Sequence, residues 1–186
     1  MNPSKRMEIR KATEKDIPHL SDLYQQEIEY HQKLAQYYEL VPHFDWSCYV
    51  EKKLRRSNGS ILVCEYCGAL GGFIDIRINS YTVNAQRQSI FSRIRYGVKK
   101  RTTLPIKPMQ WGVIEECFVV PSFRRRGIGR QLVNDALKWF QSRKIRRIEL
   151  SLTAHNKEGE LFWKKFGFDT FRISLTKEIN IQNRGK

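Results

Sequence analysis

A basic, glycine-containing stretch decides how this sequence folds: Phe118-Val-Val-Pro-Ser-Phe-Arg124-Arg125-Arg126-Gly127-Ile128-Gly129. An apolar run that predicts a strand ends before Pro121, and an amphipathic pattern that predicts a helix begins at Ile128. The first turn of a helix has backbone N–H groups without intrahelical partners and carries the positive end of the helix dipole. Glycine lets an anion approach that backbone closely. The junction is therefore expected to hold a pyrophosphate group.

Two alternatives to this interpretation stay open on these residues alone. The glycines can serve only the turn, and three consecutive arginines can form an ordinary solvated face. A dinucleotide-binding fingerprint fits less well, because the third glycine is missing and no strand with a suitably placed acidic residue follows.

The rest of the sequence predicts a mixture of helices and strands, with both hairpins and crossovers, and hence a mixed sheet. Ile74, Ile76 and Ile78 alternate with Asp75 and Arg77, which predicts a half-buried strand. The predicted order is a strand at 7–10, a helix after the Thr13–Asp16 capping box, a helix after Asp45, a hairpin at 60–66 and 70–79, a strand at 112–120, a helix from 128, a strand at 148–152, a helix at 156–166 and a strand at 168–177.

The net charge of +15 is unevenly distributed along the chain. Residues 1–79 contain 11 cations and 11 acids, residues 80–110 contain 7 cations and no acid, and residues 111–186 contain 16 cations and 8 acids. An anionic partner is therefore expected at the second part of the chain, including residues 80–110. This basic insert is long for a connection within a compact domain, and we expect it to lie over or beside the functional site.

Cysteine usage and hydropathy predict a cytoplasmic protein that binds no metal and no membrane. The Cys64–Cys67 pair has no second pair of matching spacing that would complete a zinc site, so these thiols are expected to be small buried groups in a reducing compartment. No run approaches the roughly 20 apolar residues of a membrane span, and the first ten residues lack the apolar core of a signal peptide. We expect one domain over 1–186, with a core at about 7–177 and a loose tail at 178–186.

Two blocks of the sequence together resemble the Gcn5-related N-acetyltransferase (GNAT) superfamily. The first runs from Ile114-Glu115-Glu116-Cys117-Phe118-Val119-Val120-Pro121 to Arg124-x-x-Gly127-x-Gly129, and the second comprises Asn156 and Leu161-Phe-Trp163-Lys-Lys-Phe166-Gly167-Phe168. The resemblance covers Met7 to about Lys177, apart from the basic insert. It implies an α/β (α+β mixed) fold with a central mixed, mostly antiparallel, twisted sheet and helices on both faces. It also implies direct acetyl transfer from acetyl coenzyme A to a primary amine of a small molecule or peptide.

The resemblance further implies which residues hold the cosubstrate. Backbone groups of Cys117, Phe118 and Val119 pair with the pantetheine arm and polarise the acetyl carbonyl. Asn156 contacts the cofactor arm, with a helix N-cap as the alternative role. The pyrophosphate is held by backbone amides of the junction, with help from the Arg124 side chain, which gives the set Arg124, Arg125, Arg126, Gly127, Ile128, Gly129 and Arg130.

Two consecutive glutamates in the apolar strand are candidates for the general base. Strict alternation places Glu115 on one face with Val113, Cys117 and Val119, and Glu116 on the other. In the superfamily the face of position 115 commonly meets the acceptor, so Glu115 is the first candidate and Glu116 the second. Either carboxylate is able to receive the proton that an amine must lose. An ion-paired structural role is the alternative for both.

One position departs from the superfamily pattern and leaves other functions open. Trp163 stands where many members carry a Tyr that protonates the leaving thiolate, so Tyr37, Tyr38 or water would have to replace it. The alternatives are a non-catalytic module that binds acyl coenzyme A, and a nucleic-acid-associated acetyltransferase or RNA binder that uses the basic insert. The acceptor is not encoded in a recognisable motif, and the sequence leaves open whether the chain is a monomer or a homodimer.

Overall fold

A computed structural model describes residues 7–35, 39–81, 107 and 109–177. The chain divides into two compact units, Met1–Ser151 and Leu152–Lys186. Tyr37, Tyr38, nearly all of the basic insert and the tail at 178–186 lie outside the described residues. None of the helices within the described ranges combines the length and the apolar character that a membrane span needs. The expectation of one domain stays a prediction.

The first unit is built on a five-stranded sheet. Its strands are β1 (Met7–Lys11), β2 (Gly59–Tyr66), β3 (Ala69–Tyr81), β4 (Met109–Val119) and β5 (Ile148–Leu150). They lie side by side in sequence order. The first three pairings are antiparallel and the β4–β5 pairing is parallel, so the predicted mixed, mostly antiparallel sheet is confirmed.

Three helices cover the two faces of this sheet: α1 (Ile17–Leu34), α2 (Trp46–Leu54) and α3 (Ile128–Ser142). The predicted capping box forms between Thr13 and Asp16, and the Asp45 carboxylate caps α2 by accepting from the Cys48 amide at 2.8 Å. Helices α1 and α2 pack with Phe73 and Phe118 of the sheet in one apolar cluster. Helix α3 packs against the other face with its side chains Ile128, Leu132, Val133, Ala136 and Phe140, all of which are buried.

The prediction of a half-buried third strand is wrong at Asp75. This carboxylate is fully buried, as are Ile74 and Ile76 on either side of it. Alternation normally marks one solvent-facing side of a strand. Here α1 and α2 cover that side as well, and they supply polar partners for the buried carboxylate, as described below.

The second unit contains α4 (Lys157–Lys164), which begins directly after Asn156 and ends two residues before the predicted end at Phe166. The Asn156 side chain caps it by accepting from the Gly159 amide at 2.9 Å, and Gly167 follows it with a φ of 80°. The predicted strand at 168–177 is wrong, because none of these residues is in a strand. Phe171, Ile173 and Leu175 alternate as in a strand but are exposed. A strand needs a hydrogen-bonded neighbour, which alternation alone does not supply.

Candidate active site

The junction between β4 and α3, residues 124–130, forms an exposed turn that ends in a helix N-terminus. Gly127 is the N-cap and has a φ of 86°, a left-handed conformation that glycine adopts without strain. The first helical hydrogen bond runs from the Gln131 amide to the Gly127 carbonyl at 3.0 Å, so the amides of residues 128–130 precede the intrahelical ladder. A Cβ atom at Gly127 would meet nothing within 4 Å. This open, amide-lined turn suits a pyrophosphate group.

The arginines of the junction differ in their surroundings. Arg124 is half-buried: its Nε donates to the Val119 carbonyl at 3.1 Å, and its guanidinium lies 5.5 Å from the centre of the Tyr30 ring. Arg126 is exposed and lies 5.6 Å from the Tyr66 ring centre. Arg124 therefore ties the junction to the end of β4, and backbone groups remain the main candidates for binding the anion.

Strand β4 has an unpaired edge where the superfamily resemblance places the pantetheine arm. On one side it pairs with β3 as far as the Gly72–Val119 pair. On the other side its pairing with β5 ends at the Ile114–Leu150 pair. Within the described residues, the segment from Glu115 to Val119 thus has no strand on its β5 side, and its edge can accept an extended ligand that carries amide groups.

A β-bulge in β4 turns both glutamates to the same side of the sheet. Glu116 lies opposite Asp75, Ile114 lies opposite Ile76, and Glu115 is the extra residue between them. Glu115 contacts α2, and Glu116 contacts α1. The expectation that strict alternation separates the two carboxylates onto opposite faces is therefore wrong.

Glu115 lies in a charged cluster, which we define as Lys53, Arg56, Asp75, Arg77 and Glu115. Its Oε2 accepts from Lys53 Nζ at 3.0 Å and from Arg56 Nη1 at 2.6 Å, and its Oε1 accepts from Arg77. Burial by itself would raise the pKa of this carboxyl, but Lys53 and Arg56 lower it, and the resulting pKa is about 2. Glu115 is thus a strongly ion-paired carboxylate with little tendency to take up a proton.

Asp75 anchors the same cluster from β3. Its Oδ2 accepts from Lys53 Nζ at 2.7 Å and from the Tyr24 hydroxyl at 2.8 Å, and Arg56 forms an ion pair with the other oxygen. A buried charge is tolerated only with such partners. These contacts fix Lys53 beside the β4 bulge.

Glu116 has the opposite electrostatic environment. Burial is the largest cause that raises its pKa well above the usual range of a glutamate, followed by the charge of Glu27 and a hydrogen bond with that residue. Glu27 lies on α1, is only 4% exposed, and has one oxygen 2.8 Å from the Nε2 of His31. Glu116 therefore belongs to a buried pair of carboxyl groups that holds a proton.

The next residue along β4, Cys117, is a poor nucleophile. Burial, with the negative charges of Glu27 and Glu116, raises the pKa of its thiol to about 12. The thiolate is the reactive form of cysteine, and at neutral pH this thiol is protonated.

The structure also brings together residues that the sequence analysis did not single out: Tyr24, Glu27, His31, Lys53, Arg56 and Asp75. Glu27 is the clearest omission, since it lies three residues after Tyr24 on the buried face of α1. A glutamate at a core-facing helical position is the signal that would have found it, because such a residue is almost never buried without a partner. The partners of Asp75 give no comparable signal, because they are distant along the chain: Lys53 lies 22 positions away and Tyr24 lies 51 positions away.

In the second unit, two predicted site residues have structural roles. Asn156 is the N-cap of α4, which was the alternative role for it, and its contact with the cofactor stays a prediction. Trp163 is buried, with its ring centre 5.4 Å from that of Phe168 and 6.4 Å from that of Phe166. It therefore packs in the apolar interior of this unit.

The chain matches a known protein family over most of its length. The sequence model of the acetyltransferase (GNAT) family matches residues 18–168. The chain belongs to this family. One similar protein is an uncharacterized N-acetyltransferase of Methanocaldococcus jannaschii, 27% identical over 87% of this chain. The chain spans 60% of the length of that relative.

Solved structures share the fold of this GNAT chain at low sequence identity. A tetramutant of the BH1408 protein from Bacillus halodurans superimposes with a TM-score of 0.74, at 18% identity, over 92% of this chain and 99% of the other. The aminoglycoside N-acetyltransferase AAC(6')-Iy in complex with CoA has a TM-score of 0.67 and 19% identity, over 97% of this chain and 99% of the other. The predicted superfamily and fold class are confirmed, and the matched family is one of acetyltransferases.

Proposed function

We propose that this chain transfers the acetyl group of acetyl coenzyme A directly to a primary amine of a small molecule or peptide, with Glu116 as the general base. The observation that carries this proposal is the position of Glu116. It lies within the β4 segment, Glu115 to Val119, whose β5-side edge is unpaired, so a thioester held along that edge lies beside a carboxyl group with a raised pKa.

The described residues fit the cosubstrate at two places. The amides of residues 128–130 and the open turn at Gly127 suit the pyrophosphate, and the backbone of Cys117, Phe118 and Val119 suits the pantetheine arm. When bound, acetyl coenzyme A supplies an activated acyl group. The aminoglycoside N-acetyltransferase with the same fold, which was solved with CoA, supports this assignment.

Glu116 replaces Glu115 as the preferred base because a base works best when its pKa lies near the operating pH, and a carboxylate whose pKa lies far below that value accepts a proton poorly. Glu115 is held ionised by three cations, and its pKa of about 2 makes it a weak proton acceptor. Glu116 has a raised pKa, closer to the value of roughly 10.4 of a lysine-like amine. The charged cluster then has a positioning role, since it fixes the bulge from which Glu116 projects.

Direct transfer is preferred over a route through Cys117. A thiol with a pKa of about 12 does not attack a thioester at neutral pH. The amine nitrogen attacks the acetyl carbon, the carbon–sulfur bond breaks, and the coenzyme A thiolate leaves. Trp163 does not serve as the general acid for that thiolate. Its indole N–H gives up no proton at useful pH, and its ring is buried against Phe168.

The test is a thiol-release assay with acetyl coenzyme A and three kinds of acceptor: an aminoglycoside, a polyamine and a short peptide with a free α-amino group. We expect at least one to be acetylated. The Glu116→Gln variant should then lose about 10²- to 10⁴-fold in rate, with unchanged affinity for acetyl coenzyme A. The loss should shrink at high pH, where the amine is already neutral. A Glu116→Gln protein with the parent rate across this pH range would refute the assignment of the base.

A further inference from the structure

Three side chains form a continuous chain of contacts from the β4 bulge to the surface of α1. Glu116 is hydrogen-bonded to Glu27, and Glu27 lies 2.8 Å from the Nε2 of His31, one helical turn further along. The exposed fraction of the side chains rises from 5% at Glu27 to 24% at His31. The contacts therefore lead from a buried carboxyl pair to an imidazole that reaches water.

Among the described residues around the carboxyl pair, His31 is the group through which a proton can reach solvent. The Tyr24 hydroxyl donates to Asp75, and Lys53 is bound to Asp75 and Glu115, so both are engaged in the charged cluster. The titratable and charged groups that act on the pair, from α1, α2 and β4, are Tyr24, His31, Lys53, Glu115 and Cys117. Of these, His31 is the group bound to Glu27 whose side chain also reaches solvent.

Acetyl transfer to an ammonium group releases a proton, which has to reach solvent. An ammonium loses two protons as its nitrogen becomes an amide, and the leaving thiolate takes up one, so every turnover releases one net proton. Two carboxyl groups in contact share a proton and cannot both be ionised at low cost. Glu116 must therefore pass its proton on before it receives another. Carboxyl and imidazole groups within hydrogen-bond distance suit this transfer.

We propose that Glu27 and His31 conduct the proton that Glu116 takes from the acceptor amine out to solvent. Glu27 and His31 act through Glu116, so they are positioning residues. The proposal rests on the proposed function, in which Glu116 is the base. Proton transfer along this path makes and breaks O–H and N–H bonds only, and it needs no further reactant.

The shared proton can be tested without any substrate. Infrared difference spectra of the parent protein, recorded during a pH titration, should show the carbonyl band of a protonated carboxyl group at neutral pH. Glu27→Gln removes the neighbouring negative charge that helps to raise the pKa of Glu116, so the band should disappear at a lower pH than in the parent. Glu29→Gln is the matched control, because it removes a carboxylate of the same helix whose hydrogen bond, with Gln25, lies at the surface. If the parent spectrum lacks this band at neutral pH, the inference that Glu27 and Glu116 share a proton is wrong.

The outlet is tested by the kinetics of His31→Gln with acetyl coenzyme A and the fastest acceptor among the three kinds named above. We expect kcat to fall by about 10²-fold, which is the lower end of the range for the loss of an acid–base group. The KM for acetyl coenzyme A should change little. Adding imidazole to the buffer should restore kcat, because a soluble base replaces the missing relay group. A structural role for His31 would give no such buffer dependence. Parent-like kcat in His31→Gln, or a loss that imidazole does not restore, overturns the proposal.

The two proposals fail in different ways. If Glu116→Gln keeps the parent rate while the infrared band behaves as expected, Glu116 is not the general base, but Glu27 and Glu116 still share a proton. If Glu116→Gln is inactive and His31→Gln has the same kinetics as Glu29→Gln, Glu116 is the general base, but Glu27 and His31 do not conduct its proton to solvent.

Discussion

At the junction of residues 124–130, the groups available to a ligand are backbone amides in an exposed turn, whereas at the β4 bulge they are carboxyl groups packed under α1 and α2. The junction needs only a glycine with free rotation and the start of a helix. The bulge needs cations, a hydroxyl and a second carboxyl group from three other elements. The junction offers an anion a backbone geometry that the local sequence encodes. The bulge gains its chemistry from tertiary contacts.

The largest effect that distinguishes the two regions is expected from a charge at Gly127. Gly127→Glu and Gly127→Gln suffer the same strain from the positive φ, but only the glutamate places a negative charge where the pyrophosphate is expected. We expect Gly127→Glu to bind acetyl coenzyme A at least about 100-fold more weakly than Gly127→Gln, a difference of about 2.7 kcal/mol. Isothermal calorimetry measures this difference, and circular dichroism checks the fold. Equal affinities in the two variants would refute an anion site at this turn.

A smaller effect, on stability, is expected from Glu115→Gln. The variant leaves Lys53, Arg56 and Arg77 without one shared partner, which should lower the free energy of unfolding by about 1–3 kcal/mol in urea denaturation. The folded fraction should keep far more activity than Glu116→Gln does. Loss of turnover in Glu115→Gln equal to that in Glu116→Gln would show that the two glutamates are not functionally distinct.

The same variant should change how stability depends on pH. The folded pKa of Glu115 is depressed, so its stabilising contribution is present above its ordinary value of 4.5 and is lost as the pH falls towards about 2. The parent protein should therefore lose more stability than Glu115→Gln over this interval. Parallel curves for the two proteins in acid denaturation would contradict the depressed pKa.

The smallest effect is expected from the basic insert, which lies outside the described residues. Replacing Lys99, Lys100 and Arg101 by glutamine should raise the KM for acetyl coenzyme A several-fold at low salt. At ordinary ionic strength the difference should shrink, because exposed charges are screened over about 8–10 Å. Steady-state kinetics at two salt concentrations measure the effect. The matched control replaces three exposed lysines of the electrically balanced N-terminal part, Lys11, Lys15 and Lys33.

Other outcomes of this triple replacement identify other roles for the insert. A raised KM for the acceptor indicates an acidic acceptor, and a lost RNA gel shift with unchanged kinetics indicates nucleic-acid binding. Kinetics and RNA binding identical to those of the control would remove Lys99, Lys100 and Arg101 from all three roles.

The sequence by itself determined the family, the order of the elements along the chain from β1 to α4, and the start of a helix at the junction. The glycine spacing at Gly127 and Gly129, the amphipathic helix from Ile128 and the hairpin turn at Cys67–Gly68 are local patterns, because each depends on residues a few positions apart. Backbone conformation follows such short-range constraints, which explains why these elements lie where the pattern predicts them. The predicted strand at 168–177 failed because alternation supplies no pairing partner.

Only the tertiary structure decided that the two glutamates differ in their affinity for a proton. Alternation along β4 predicts opposite faces, but the bulge puts Glu115 and Glu116 on one side, and the helices above them differ. Lys53 of α2 and Arg56, which follows that helix, give Glu115 two cations, while α1 gives Glu116 another carboxyl group, Glu27. A pKa depends on burial and on charges within a few ångströms, whatever their distance along the chain. Adjacent identical residues therefore acquire opposite proton affinities from contacts that no local pattern records.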